Sequence, residues 1–140
     1  MSKLLIQKHK VEFWECDISG YVHNSKYFIW FERARFEIAK EVGLNDIEGI
    51  NGEDGFYFPV LEAECKFINT IYMDTDLVIK TELEKPIAAK LKFKHTIEEE
   101  KTGRVLTRAI TTVGVCSRKN GLVLKLSGEI QEKIENYFNN

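Results

Sequence analysis

One segment of this chain repeats with the period of an α-helix, and nearly everything after it repeats with the period of a strand. Tyr27, Phe31, Ala34, Ile38 and Val42 recur at spacings of 4, 3, 4 and 4, which aligns them on one helical face. Lys26, Arg33, Glu37 and Lys40 fall on the opposite side, and Trp30 is read with them. Asn24 or Ser25 is placed to cap the amino end by accepting from a free first-turn amide. Gly43 is placed to end the helix in a left-handed conformation. About 18 residues rising 1.5 Å each give about 27 Å, the width of a small sheet.

The flanking segments alternate. His9–Trp14 reads as a short strand in which Val11 and Phe13 alternate with charged residues. It ends in the turn chemistry of Asp17-Ile18-Ser19-Gly20. After a polar loop, Asn51–Gly55, come Leu61–Phe67, Leu77–Leu83, Leu91–Ile97 and the β-branched run Val105–Cys116, with turn signals at Thr102-Gly103 and Asn120-Gly121. Ser127–Tyr137 is a last amphipathic segment of short-helix length. Successive strands joined by short turns favour antiparallel pairing. A helix with one apolar face and no other layer to cover it must lie across the sheet. The expectation is an α+β fold, a curved antiparallel sheet of about five strands wrapped around one long central helix.

The 140 residues suit a single domain, 1–140, that buries enough surface to need no metal or disulfide staple. Net charge is −2, from 20 basic and 22 acidic residues, so nothing draws the whole molecule to nucleic acid or an anionic membrane. Cys16, Cys65 and Cys116 are odd in number, far apart, and in no zinc spacing with His9, His23 or His95. No signal-peptide pattern or membrane-length apolar run is seen. A cytoplasmic protein without a cofactor or metal is expected.

The chemistry concentrates at the start of the helix. An aspartate in Asp-x-x-Gly is ordinarily a turn former bonded to nearby amides. Here it stands just before a helix whose first amides point forward. A carboxylate beside a helix N-terminus supplies what acyl transfer needs, a base or nucleophile and donors for the developing oxyanion. The stretch Asp17-Ile18-Ser19-Gly20-Tyr21-Val22-His23-Asn24-Ser25-Lys26-Tyr27 resembles the D-x-x-G-x-V-x-x-x-x-Y signature of hotdog-fold thioesterases, the 4-hydroxybenzoyl-CoA and short acyl-CoA type. Trp30–Arg35 resembles the helix continuation of that family, and the His-Asn pair is similar to that of acyl carrier protein thioesterases.

The resemblance implies an acyl-CoA thioesterase with Asp17 as nucleophile or general base and an oxyanion amide at or near Asn24. It makes Gly20, Val22, His23, Ser25 and Tyr27 substrate-binding positions. It implies a homodimer or homotetramer with sites at the dimer interface. Its Y-x-x-P-x-x-x-G-D loop pattern is not matched, since Phe67–Thr75 lacks the proline and the Gly-Asp pair. The alternatives are a non-catalytic acyl-thioester binding or sensing module and an acyl carrier protein thioesterase. A hydratase of the same fold needs D-x-N-P-x-H, which is absent.

Other residues compete for roles. Glu32 and Arg35 read as a structural ion pair on the helix, with Glu32 a backup carboxylate. Cys16 reads as a structural thiol. Glu62 follows Pro59-Val60-Leu61 near the expected pocket. Lys90 and Lys92, with Lys94 on one strand face and Arg118 and Lys119 beyond the next strand, are either a solvated face or a phosphate patch for coenzyme A.

Overall fold

A computed structural model describes residues 3–44, 56–123 and 125–140; the loop expected at 51–55 lies outside them. The chain runs β1 (Leu5–Lys10), a single 3-10 turn (Phe13–Glu15), α1 (Asn24–Val42), β2 (Phe56–Tyr57), β3 (Val60–Phe67), β4 (Asp76–Leu83), β5 (Leu91–Glu99), β6 (Val105–Val113), β7 (Cys116–Ser117), β8 (Gly121–Leu122) and α2 (Gly128–Asn139). Five strands form one antiparallel sheet in the order β1-β4-β5-β6-β3, and β2-β7-β8 form a small second sheet. α1 lies against the inner face of the large sheet, as its single apolar stripe requires.

The helix ends as its sequence dictates. Gly43 adopts φ 91° and its amide donates to the carbonyls of Ala39 and Lys40. The buried face holds Tyr27, Phe31, Ala34, Ile38 and Val42, together with Trp30. Trp30 therefore belongs to the core and not to the charged side. It stands three residues after Tyr27 and four before Ala34, which is stripe spacing.

The first strand is the other correction. It spans Leu5–Lys10, paired with Asp76–Thr81, and stops before Val11. Val11 is buried, whereas Phe13 and Trp14 belong to the 3-10 turn and are exposed. The Glu12 amide donates to Glu15 Oε1 at 2.8 Å, and that local bond turns the chain out of the ladder. The β-branched run after Thr102-Gly103 is also interrupted. It leaves the large sheet at Gly114, whose amide donates to the Pro59 carbonyl.

The core has two apolar halves. Val11, Trp30, Phe31, Leu77, Ile79 and Ile97 fill the half under the amino end of α1. Ile38, Leu83, Leu91, Val115 and the α2 residues Ile130 and Ile134 fill the other. Between them runs a buried polar band. His95 bonds Thr81 Oγ1 through Nδ1 at 2.9 Å and Thr111 Oγ1 through Nε2 at 3.1 Å, and stacks on Phe31 with ring centroids 4.4 Å apart. Burial, assisted by the charge of Arg35, pushes its pKa down to about 3, so the ring is neutral and one nitrogen donates while the other accepts.

An unfolded histidine takes up its proton near pH 6.5. Stability from the neutral ring is thus complete above that pH and is lost as pH falls from there towards 3. Urea midpoints measured from pH 7 to pH 5 are expected to fall for the wild type. They are expected to fall less for His95→Leu, even though that variant is less stable at pH 7.

Candidate active site

Glu15, Asp17 and the start of α1 are held by one tight hairpin. The His23 amide donates to the Glu15 carbonyl at 2.9 Å, Cys16 bridges Val22, and the Asp17 amide donates to the Tyr21 carbonyl at 2.8 Å. The turn between is Asp17 to Gly20. The Gly20 amide bonds the Asp17 carbonyl at 3.0 Å, and Gly20 sits at φ 86°, where a side chain is strained.

The Asp17 carboxylate is both a turn former and an open acid. Its Oδ1 accepts from the Ser19 amide at 2.8 Å and from the Ser19 hydroxyl. Among the described residues Oδ2 has no partner, and the side chain is exposed. The Ser19 hydroxyl and amide hold the carboxyl below its ordinary value, with a smaller contribution from nearby His23. It is ionised at neutral pH.

His23, not Asn24 or Ser25, caps α1, and Nδ1 accepts from the Ser25 amide at 3.2 Å with the Ser25 hydroxyl 2.8 Å away. Asn24 is the first helical residue. The Lys26 amide bonds the His23 carbonyl, and among the described residues nothing accepts from the Asn24 amide. The Asp17–Tyr21 pairing lies two residues along the ladder from the Glu15–His23 pairing, about 7 Å. One exposed carboxylate and one unclaimed helix amide therefore share an end of the molecule.

Residues remote in sequence fix this end. Glu15 is 1% exposed and its carboxylate takes the His9 Nε2 proton donor at 2.7 Å, the Glu12 amide at 2.8 Å and Trp30 Nε1 at 2.8 Å. Burial pushes the Glu15 carboxyl up, but the Glu12 amide, His9 and Trp30 outweigh it and hold it below the ordinary 4.5. Sequence reasoning missed Glu15, because its partners lie six and fifteen positions away and no local pattern marks it. The loop after β3 holds the hairpin from the other side. The Val22 amide donates to Ile71, the Met73 amide to Gly20, and the Tyr21 and Tyr72 hydroxyls meet at 3.1 Å. Asp74 occupies the position of the glycine in the unmatched loop pattern and takes φ 65°. Aspartate tolerates that left-handed conformation, so the loop turns without glycine.

The remaining expected residues scatter. Val22 and Tyr27 are buried in the core; Tyr27 packs edge-on against Phe67 at 4.8 Å, and burial raises its pKa to about 12. Gly20 is half-buried, while His23 and Ser25 are exposed. Lys90 and Lys92 are exposed at the far end of the sheet, where Leu91 and Val60 both pair with Val113. Glu62 lies on exposed β3 near the same end. Arg118 rests over Tyr57 at 5.4 Å, and Lys94 is tied to Glu84 at 2.8 Å. Within one chain Lys90, Lys92 and Glu62 thus lie at the end of the sheet away from Asp17. Glu32 and Arg35 do not form the expected ion pair: among the described residues no bridge joins them. Cys16 is a free thiol, half-buried, with its pKa raised by burial and by the acids Glu15, Asp17 and Asp74, which suits a structural role. No helix among the described residues is long and apolar enough to cross a membrane.

A sequence profile of the thioesterase-like superfamily matches residues 11–134. A protein of Aquifex aeolicus that carries an esterase name is 25% identical over 130 residues, 93% of this chain and 97% of that one. Among solved structures, a 1,4-dihydroxy-2-naphthoyl-CoA thioesterase from Synechocystis superposes with a TM-score of 0.79 at 16% identity, over 96% of this chain and 97% of the other. The DHNA-CoA thioesterase from Staphylococcus aureus gives 0.74 at 22% identity, over 97% and 93%. At these identities the likeness is one of fold, and the fold is the hotdog expected from the sequence.

Replacing Glu15 by Leu strands three donors in a buried place and is expected to cost about 3–5 kcal/mol of stability. A depressed carboxyl pKa gives stability present above the ordinary 4.5 and lost as pH falls through the folded value. The wild type should therefore lose stability on acidification below about pH 4.5, and Glu15→Leu should lack that component in chemical denaturation. An Asp17→Asn control, altered at an exposed site, is expected to unfold close to the wild-type midpoint.

Proposed function

The chain belongs to the thioesterase-like superfamily and is a thioester hydrolase, and we propose that it cleaves an acyl-CoA at a centre formed by Asp17 and the amino end of α1. The observation that carries this reading is the exposed, ionised carboxylate with one free oxygen, set beside a helix start whose first amide is unclaimed. As general base, Asp17 takes a proton from water as the water oxygen bonds the thioester carbon. As nucleophile, it bonds that carbon itself, and water then opens the mixed anhydride. In both routes negative charge collects on the carbonyl oxygen, where the Asn24 amide and the helix dipole stabilise it. In the first route the carbon–sulfur bond breaks after water has added, and in the second it breaks to form the anhydride before water enters; the leaving thiolate takes its proton from the Asp17 carboxyl or from solvent water.

A homodimer completes this centre. β3 is an edge strand, and Val60, Leu61 and Phe67 on it are 46–50% exposed. An exposed apolar edge is a template for another strand. A second copy pairing β3 against β3 about a two-fold axis runs antiparallel. The partner's Val60 end then lies beside the Phe67 end of this protomer, next to Tyr27 and the start of α1. That pairing brings the partner's Lys90, Lys92 and Arg118 towards Asp17, where their charge suits the phosphates of coenzyme A.

Asp17→Asn is expected to lower kcat/KM on a good acyl-CoA by about 10²–10⁴-fold with an unchanged far-UV circular dichroism spectrum. Near-wild-type turnover in that variant would remove Asp17 from the mechanism. Acyl-CoA binding without hydrolysis across a broad panel would instead favour a sensing module. Sedimentation equilibrium of the wild type is expected to give a mass of at least two chains, and a monomer at micromolar concentration would refute the shared site.

A further inference from the structure

Beside the second half of α1 lies a cavity of about 310 Å³ bounded by Arg35, Phe36, Phe58, Leu91, Phe93 and Val113, among others. It is at the lower end of small-ligand sites, and its composition, apolar walls with one polar group, is that of a built pocket. Among the described residues Arg35 is the only charged one on its wall. The guanidinium is half-buried, and among the described residues it has neither an ion-pair nor a hydrogen-bond partner. Glu32, one turn back, acts on it only at a distance.

The neighbouring polar group cannot satisfy it. His95 follows Phe93 on the same inward face of β5, but both ring nitrogens are engaged by Thr81 and Thr111. A guanidinium withdrawn from water without an acceptor is costly, and an oxygen anion beside it recovers part of that cost. The other described residues of the wall offer a ligand only apolar contact.

We infer that this cavity receives the acyl group of the substrate, and that Arg35 selects acyl groups whose apolar body carries a carboxylate. The inference rests on the thioesterase reading and gives it a substrate class. Within one protomer the cavity is too remote: Asn24 and Arg35 are eleven residues apart on α1, about 16 Å. Phe58, however, stands two residues before Val60. The β3-to-β3 pairing that joins two protomers therefore carries the partner's cavity to the Asp17 hairpin. Carboxylate and guanidinium of one site come from different subunits.

The test uses two acyl-CoAs of matched shape, 4-carboxybenzoyl-CoA and 4-carbamoylbenzoyl-CoA, and two free probes, 2-naphthoate and 2-naphthamide, titrated calorimetrically. Wild-type enzyme is expected to prefer the carboxylate in kcat/KM by roughly 10- to 100-fold and to bind naphthoate more tightly than naphthamide. Arg35→Met should bring both ratios towards one, and Arg35→Lys should restore part of each. The wild-type ratios need no variant, so an unfolded variant leaves the assignment testable. Hydrolysis of both thioesters without preference overturns the role of Arg35 and leaves the thioesterase reading standing. If neither thioester is cleaved but naphthoate binding depends on Arg35, the anion cavity stands and the catalytic reading fails. Equal binding of the two probes by the wild type overturns the cavity assignment.

Discussion

The buried carboxylate of Glu15 is the contact on which the working end of this molecule depends. It ties β1 through His9, α1 through Trp30 and its own 3-10 turn through the Glu12 amide. Its backbone carbonyl meanwhile takes the His23 amide and so sets where α1 begins. A charge this deep is tolerable only when every partner is present, because an incompletely satisfied buried carboxylate costs several kcal/mol. The requirement works as a geometric constraint. Strand, helix and hairpin must meet at one place, and the hairpin carries Asp17 two residues further on.

That arrangement separates two jobs that a single acid could not do. Glu15 is enclosed and fully bonded, so it holds structure and is closed to water. Asp17 is exposed, with one oxygen spent on the Ser19 turn and the other open. The Ser19 bonds orient the side chain and keep it ionised. The same interactions that make Asp17 look like a turn residue in the sequence therefore supply the ionised form and the fixed orientation that acid–base chemistry requires. The structural and catalytic readings of Asp-x-x-Gly are two oxygens of one carboxylate.

Local periodicity carried the fold, and long-range contacts carried what it could not. The stripe from Tyr27 to Val42 and the alternation of Leu77–Leu83 and Leu91–Ile97 were legible because each follows from one element's geometry. The end of β1 was not, since the Glu12–Glu15 bond that breaks the ladder is a side-chain choice. Asn24 and Ser25 have good capping chemistry, yet His23 caps because its amide is already fixed by Glu15 and its ring lies over the first turn. The alternation of β3 was visible, but it did not mean one buried face. Nearly all of β3 is exposed, so a pattern that normally signals a core here marks an open sheet edge. The Asp17 turn is legible from its Asp-x-x-Gly spacing, whereas the ion pair expected between Glu32 and Arg35 is absent among the described residues because spacing on a helix says nothing of which side chain leans into a cavity.

The sheet edge and the helix are what lead the proposed site to draw on two chains. Lys90, Lys92 and the cavity beside Arg35 all sit at the Val113 end of the sheet, while the Asp17 hairpin sits at the other. One chain thus separates Lys90 from Asp17 by about the length of β5, eight residue steps or about 27 Å. Within a chain this spacing has a benefit, because Arg35 cannot reach over and neutralise Asp17. Antiparallel pairing of two edges removes the distance without removing the order, since each end meets its opposite. In the proposed dimer the acid would face the partner's guanidinium across the substrate, and an anionic acyl group would fit between them with its oxyanion at Arg35 and its thioester carbon at Asp17. In that proposed arrangement charge placement along one sheet, doubled by symmetry, would fix the direction in which such a substrate lies.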